Sequence, residues 1–213
     1  MKSLFPRNRM FYRPCLALTL GALLLCACAH QAEPKLKPAD AFMSHLRALC
    51  GKAFAGRIIA NEPTPVAPDA FSGKTLIAHV RECSPTQLRI PFHVGDDHSR
   101  TWVLSALPTG LRLKHDHRHR DGSPDVLTQY GGDSVDAGQA NRQEFPVDAD
   151  SIALFQRQNS AASVTNTWAF EIAPGKVLIY ELARPGRLFR VEFDLSKPVP
   201  APAPPWGNDS VSD

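Results

Sequence analysis

The chain has 213 residues, of which 43% are hydrophobic and 21% are charged, and its formal net charge is +3. Four of its 24 Lys and Arg residues and none of its 21 Asp and Glu residues lie before residue 28, so the remainder carries a net charge of −1. This balance excludes a basic nucleic-acid-binding protein. Beyond the amino terminus, no stretch is long and apolar enough to span a bilayer as a helix.

The amino terminus has the form of a secretory signal peptide. Residues 1–14 contain four basic and no acidic side chains, and residues 15–28 are almost wholly apolar. Such an apolar segment spans only about 21 Å as a helix, which is short of the roughly 30 Å of a bilayer core. A basic segment followed by a short apolar one is typical of a leader that is cleaved.

The leader ends in Leu25-Cys26-Ala27-Cys28, which resembles the lipobox of bacterial lipoproteins. The resemblance implies that residues 1–27 are removed, that the sulfur of Cys28 carries a diacylglycerol, and that residues 28–38 tether the body to a membrane. Ala29, where that family has Asp in retained proteins, implies an outer-membrane lipoprotein that faces the periplasm. The alternative is an ordinary cleavage near Ala29 that releases a soluble protein.

Two cysteines remain once the leader and the lipidated cysteine are set aside, namely Cys50 and Cys83. Because the bacterial envelope is oxidising, we expect them to form a disulfide. A reactive or metal-binding thiol pair is the alternative.

Residues 39–197 have the pattern of one mainly β domain. Asp40 is suited to cap a short amphipathic helix, and from Ala53 onward apolar residues alternate with polar ones in about ten segments. A second helix is predicted over residues 148–158. Many short, evenly spaced strands favour an antiparallel up-and-down barrel of the lipocalin-like (calycin-like) kind, with a two-sheet β-sandwich as the alternative.

The Pro-rich end, residues 198–213, is predicted to be a disordered tail. It has little capacity to bury apolar surface. We therefore place the end of the folded domain just before it.

The stretch LKHDHRHRDGSPD is the most informative part of the chain for function. Alternation along a strand places three histidines, His115, His117 and His119, on the same face as Leu111 and Leu113, and therefore inside the domain. They are candidates for lining a ligand pocket or for a structural polar network. His115 and His117 would also lie about 7 Å apart, close enough to share a zinc or copper ion, whereas His119 would lie too far along the strand.

Four longer phrases, GLRLKHDHRHRDGSPD, YGGDS, RQEFPVD and YELARPGRLFRVEFDL, together resemble a group of uncharacterised secreted proteins and lipoproteins of proteobacteria. The resemblance runs over most of residues 45–198. It implies a location in the cell envelope and carries no assigned activity.

No catalytic signature is present, since the chain has no G-x-S-x-G, H-E-x-x-H or Gly-rich phosphate loop. We therefore assign no catalytic residue. The leading hypothesis is a membrane-anchored lipoprotein that binds a small apolar or amphipathic ligand. The alternatives are a metal-binding envelope protein and a structural or assembly lipoprotein that binds a protein partner.

Overall fold

The structure is a computed structural model that describes residues 36–136 and 138–208. The predicted signal peptide, the lipidation site Cys28 and most of the predicted tether lie outside the described residues. Within these residues, no helix has the length and apolar character needed to cross a membrane.

The described chain contains eleven β-strands and two α-helices. The helices are α1 (Pro38–Arg47) and α2 (Ala149–Arg157). The strands are β1 (Ala53–Glu62), β2 (Leu76–His79), β3 (Glu82–Cys83), β4 (Gln87–Val94), β5 (Asp97–Leu107), β6 (Gly110–His117), β7 (Tyr130–Asp133), β8 (Arg142–Pro146), β9 (Thr167–Ala173), β10 (Val177–Arg184) and β11 (Arg187–Val199).

All strands belong to one antiparallel sheet that is rolled into a nearly closed barrel. The order around the wall is β7-β6-β5-β4-β2-β1-β11-β10-β9-β8, and the short β3 pairs only with β4. Apart from β7 and β8, each main strand therefore pairs with its neighbour in the chain, and β1 pairs with β11. The predicted up-and-down barrel is confirmed, and the alternative of two separate sheets is not observed.

Period-two alternation determines which side chains fill the barrel. Phe189, Val191 and Phe193 of β11 are buried, while Arg190 and Glu192 between them are more exposed. The same alternation in β4 and β6 adds further apolar side chains to the core. At about 25 cal/mol per Å², burying these large side chains is the main stabilising contribution.

The first helix closes one end of the barrel. Phe42 and Leu46 are fully buried in the core, and the Arg47 guanidinium donates to the Pro85 carbonyl in the loop after β3. The helix begins at Pro38 with Lys37 as its N-cap, so the prediction that Asp40 is the cap was wrong. Proline at the first helical position suits its fixed φ, and this leaves Asp40 in the first turn, where its charge complements the helix dipole.

The predicted disulfide is confirmed. Cys50, which follows α1, is bonded to Cys83 in β3. The bond therefore ties the helix that closes the barrel to the barrel wall.

The second helix seals the one interruption in the wall. Among the described residues β7 and β8 share no ladder, and the Asp148 N–H instead donates to the Gly131 carbonyl. Ser151, in the first turn of α2, accepts from the Gly131 N–H at 2.8 Å and donates back to its carbonyl. The Asp148 side chain caps this helix as its position in the sequence predicts.

Gly132 allows the close approach of β7 to β8, and Gly131 allows the close approach of β7 to β6. A Cβ at Gly132 would overlap the Pro146 carbonyl oxygen, and one at Gly131 would overlap the Leu113 carbonyl oxygen. Gly132 therefore lets the two ends of the sheet come together, where a larger residue would hold them apart.

The end of the described chain is packed on the barrel, which corrects the prediction of a disordered tail over residues 198–213. Pro198 and Val199 continue β11 in register with β1.

Residues 204–208, here called the strap, then cross the outer wall. The Trp206 N–H donates to the His98 carbonyl, and the Asn208 amide donates to Glu82 at 2.6 Å. Prolines lose little backbone entropy on docking, so a few contacts suffice to hold an extended segment. Residues 209–213 lie outside the described residues.

Candidate functional site

A cavity of about 330 Å³ lies inside the barrel at the end opposite α1. Its volume is at the lower end of the roughly 300–1,000 Å³ that is usual for small-molecule sites. Below it, toward α1, the interior is filled with side chains. The lining is largely aromatic and includes Phe92, Trp102, Tyr130, Trp168, Tyr180 and Phe189.

The register of the strands places several aromatic rings at one level, where they form the floor of the cavity. Trp102 of β5 is the cross-strand partner of both Ile90 in β4 and His115 in β6. Its ring packs 4.4 Å from the ring of Tyr180, which reaches in from the far wall. Because neighbouring strands present their inward side chains at the same level, the floor is a continuous layer of rings.

His115 lies in that floor and is only 4% exposed. Its Nδ1 lies 3.2 Å from the Tyr130 carbonyl oxygen, and since a carbonyl can only accept, Nδ1 carries the proton. Nε2 is therefore an acceptor, and the Tyr180 hydroxyl donates to it over 3.0 Å. Burial lowers the pKa of His115 to about 3 and raises the pKa of Tyr180, so both side chains are neutral at pH 7.

His117 lies nearer the mouth of the cavity and is half-buried. Its Nε2 is 3.1 Å from the Tyr130 hydroxyl. Burial, together with the nearby charge of Arg100, lowers its pKa to about 4. Like His115, it is a neutral polar group at pH 7.

The third predicted histidine does not join the other two. The strand ends at His117, and His119 lies beyond it, exposed and outside the cavity lining. It belongs to a turn, in which its N–H donates to the Ser123 carbonyl. Its Nδ1 lies 3.9 Å from an oxygen of Asp125.

The contacts of the histidines do not favour the zinc or copper site considered from the sequence. Metal coordination by His115 would require Nε2 to release the Tyr180 hydroxyl. The ring centroids of His115 and His117 are 6.5 Å apart, and the part of the chain that the structure describes has no group of three or more His, Cys, Asp or Glu side chains placed to hold an ion. The pair therefore fits a polar network in a pocket wall better than a metal site.

Three arginines also line the cavity, and sequence reasoning did not single them out as lining residues. Arg100 is paired with Asp97 and lies over the Phe71 ring, so its charge is compensated. Arg184 and Arg187 lie on opposite sides of the β10–β11 turn. The signal for them in the sequence is the alternation of β10 and β11, which places both on the inward face at the very end of each strand.

The outer wall of β4, β5 and β6 is buried where the sequence predicts an exposed charged face. Asp116 is 3% exposed because Arg89 binds it at 2.7 Å and Gln129 donates to it as well. His93, also expected at the surface, is 2% exposed, with the His98 ring packed edge-on against it. Strand alternation places both residues outside the barrel, but the strap and its neighbours cover this part of the wall.

Comparisons with protein-family models, with curated proteins and with solved structures find no match to this chain.

Proposed function

We propose that the protein is a non-enzymatic binding protein that holds a small apolar or amphipathic ligand in the mouth of its barrel. The observation that carries the proposal is a cavity of about 330 Å³ with an aromatic floor and polar groups near its rim. A ligand there would stack on the rings of Trp102, Tyr180 and Trp168, and it would meet the side chains of His115 and His117. Apolar walls with a few fixed polar groups are typical of sites that bind small molecules.

The side chains that line the cavity are better suited to binding a ligand than to catalysing a reaction. The imidazoles of His115 and His117 are neutral, and each is already engaged by a tyrosine hydroxyl. Among the described residues, neither ring is hydrogen-bonded to a Ser, Cys or Lys side chain that could act as a nucleophile. Fixed hydrogen bonds of this kind keep a pocket in one shape and thereby lower the entropic cost of binding.

Filling the cavity is expected to abolish ligand binding. Ser163 lies in the short turn between α2 and β9 and lines the cavity, so Ser163→Trp would place an indole in the space that a ligand would occupy. We expect the protein to bind the neutral fluorophore N-phenyl-1-naphthylamine and the variant to lose at least about tenfold in affinity. The measurement is a fluorescence titration of the chain without its leader (residues 29–213).

Ala162→Trp is the matched control, because Ala162 is exposed in the same turn and does not line the cavity. It should bind the fluorophore like the parent protein. Failure of the parent protein to bind this or any apolar fluorophore would refute the proposal.

We further propose that the binding domain is anchored to the outer membrane of a bacterial envelope. The support is the basic and apolar leader followed by a sequence that resembles a lipobox, Leu25 to Cys28. Two or three acyl chains bind a bilayer nearly permanently, since each buried CH₂ contributes about 0.8 kcal/mol. The tether between the lipid and the domain would let the cavity sample the periplasm.

Replacing Cys28 by Ala is expected to abolish incorporation of radiolabelled palmitate and to remove the protein from the membrane fraction. Cys26→Ala is the control and should be labelled like the parent, because the bulky Leu25 before Cys26 makes it a poor acceptor. Palmitate labelling that survives in Cys28→Ala would show that this cysteine is not the anchor.

A further inference from the structure

We infer that the ligand is a small organic acid, with an aromatic or short apolar body, whose anionic group is bound by Arg184 and Arg187. This inference rests on the proposed binding function and specifies the ligand's charge and orientation.

The two arginines form a matched pair at the rim of the cavity. They are direct cross-strand partners on either side of the Pro185-Gly186 turn, and both line the cavity. Side chains that are opposite each other on one face of an antiparallel pair have Cβ atoms about 5 Å apart. Two guanidinium groups at this spacing can converge on one carboxylate or sulfonate.

Neither arginine has a carboxylate partner among the described residues. Arg184 donates to the Asn166 amide oxygen at 3.1 Å, and one terminal nitrogen of Arg187 donates to the carbonyls of Glu62 and Leu188. By contrast, Arg100 at the same cavity is paired with Asp97. Most arginines on the outer wall are also paired with acidic residues, for example Arg57, Arg112 and Arg142.

The uncompensated pair is electrostatically costly in the free protein. Burial and the charge of Arg187 both lower the pKa of Arg184. A like-charge pair that is partly withdrawn from water is relieved by an anion placed between the two groups. This interaction would strengthen inside the cavity, where water no longer screens it fully.

The one acidic group in the cavity lining is on the other side. Asp125 belongs to the segment after β6, which is separated from β10 around the wall by β7, β8 and β9. It accepts from the Leu127 N–H and faces His119. The rim is therefore positive beside the β10–β11 turn, and an acid would bind with its charge there and its apolar body on the floor of rings around Trp102.

The volume of the cavity limits the size of the ligand's apolar part. A volume of about 330 Å³ holds a compact molecule and is too small to enclose the chains of a diacyl lipid. A single aromatic acid or a short fatty acid meets both the volume and the charge of the site.

Two fluorophores that differ by one anionic group test the inference. They are 8-anilinonaphthalene-1-sulfonate, which is an anion, and N-phenyl-1-naphthylamine, which is its neutral analogue. We expect the double variant Arg184→Gln/Arg187→Gln to bind the sulfonate about 10- to 100-fold more weakly, as expected for the loss of charge-assisted hydrogen bonds. Its affinity for the neutral analogue should change by less than about twofold.

Two controls accompany the double variant. Arg57→Gln/Arg112→Gln removes the same charge from exposed positions on the outer wall and should leave both affinities unchanged. Arg184→Lys/Arg187→Lys keeps the charge and should restore part of the affinity for the sulfonate. Far-UV circular dichroism and thermal unfolding of each variant establish that the fold is intact.

Each outcome distinguishes the inference from the function on which it rests. Loss of sulfonate binding alone supports the inference. Unchanged sulfonate binding in the glutamine variant, or an equal loss of both fluorophores, overturns the anion site while leaving the binding function in place. If the parent protein binds neither fluorophore, both proposals fail.

Discussion

At pH 5 the domain is expected to be less stable than at pH 7.5 by several kcal/mol, well before its carboxylates titrate. Buried histidines with lowered pKa values account for this: His115 at about 3, and His93 and His117 at about 4, while the pKa of His79 is lowered as well. Their main cause is burial, which disfavours the charged imidazolium. In the unfolded chain the same groups take up a proton near pH 6.5.

The sign of the effect follows from proton uptake. Between pH 6.5 and the folded pKa the unfolded state binds more protons, so falling pH favours unfolding. Each of the three histidines His93, His115 and His117 contributes stability that is present above about pH 6.5 and is lost as the pH falls toward its folded pKa, roughly 2 kcal/mol of it by pH 5. Buried carboxylates such as Asp116 have their pKa lowered below the ordinary 3.8, so their contribution is lost only at lower pH.

Replacing His93 tests whether protonation of buried histidines causes the loss of stability at pH 5. Both of its ring nitrogens are buried and have no hydrogen-bond partner among the described residues, and it faces His79, Arg81, Asp97 and His98. His93→Leu should therefore be at least as stable as the parent at pH 7.5 and about 2 kcal/mol more stable than the parent at pH 5.

Urea unfolding at a series of pH values measures these differences. His119→Gln is the matched control, because His119 is exposed and its replacement should leave the pH dependence unchanged. A His93→Leu protein that loses stability between pH 7.5 and pH 5 as steeply as the parent would contradict the assignment.

Removing the disulfide is expected to lower the free energy of unfolding by about 3–4 kcal/mol. The bond joins cysteines 33 residues apart in the sequence, and on the chain-entropy model a closed loop of this size restricts the unfolded chain by that amount. Because Cys50 follows α1, we also expect the loss to loosen this helix from the barrel end before the wall unfolds.

The double variant Cys50→Ala/Cys83→Ala tests this expectation by denaturant unfolding, with hydrogen exchange at Phe42 and Leu46 as the local probe. Reduction of the parent protein under native conditions is the control, and it should shift the unfolding midpoint by a similar amount. A change of less than about 1 kcal/mol would show that the unfolded chain is not restricted in this way.

Alternation within single strands made the barrel interior predictable. Phe189, Val191 and Phe193 in β11 face inward as their spacing indicates, and so do Leu113, His115 and His117 in β6. The reason is physical: one face of each strand must be buried, and side chains in a strand alternate. The disulfide followed in the same way from the small number of cysteines.

Features that depend on contacts between distant segments were not predictable. Alternation places His93 and Asp116 outside the barrel, but it does not reveal that residues 204–208 cover the wall there. It also does not show which end of the barrel is open. The cavity, and with it the importance of Arg184 and Arg187, depends on α1 closing one end and leaving the other free.

The seam between β7 and β8 determines how the barrel can change its width. Neighbouring strands share ladders elsewhere in the described wall, whereas here β7 is hydrogen-bonded to the segment that follows β8, through the Asp148–Gly131 hydrogen bond and the two bonds of Ser151. Dilation at the seam breaks fewer backbone hydrogen bonds than dilation between any other neighbouring strands. We therefore expect a ligand bulkier than the resting cavity to widen the barrel by separating these two strands, and the amide of Gly131 would report this change.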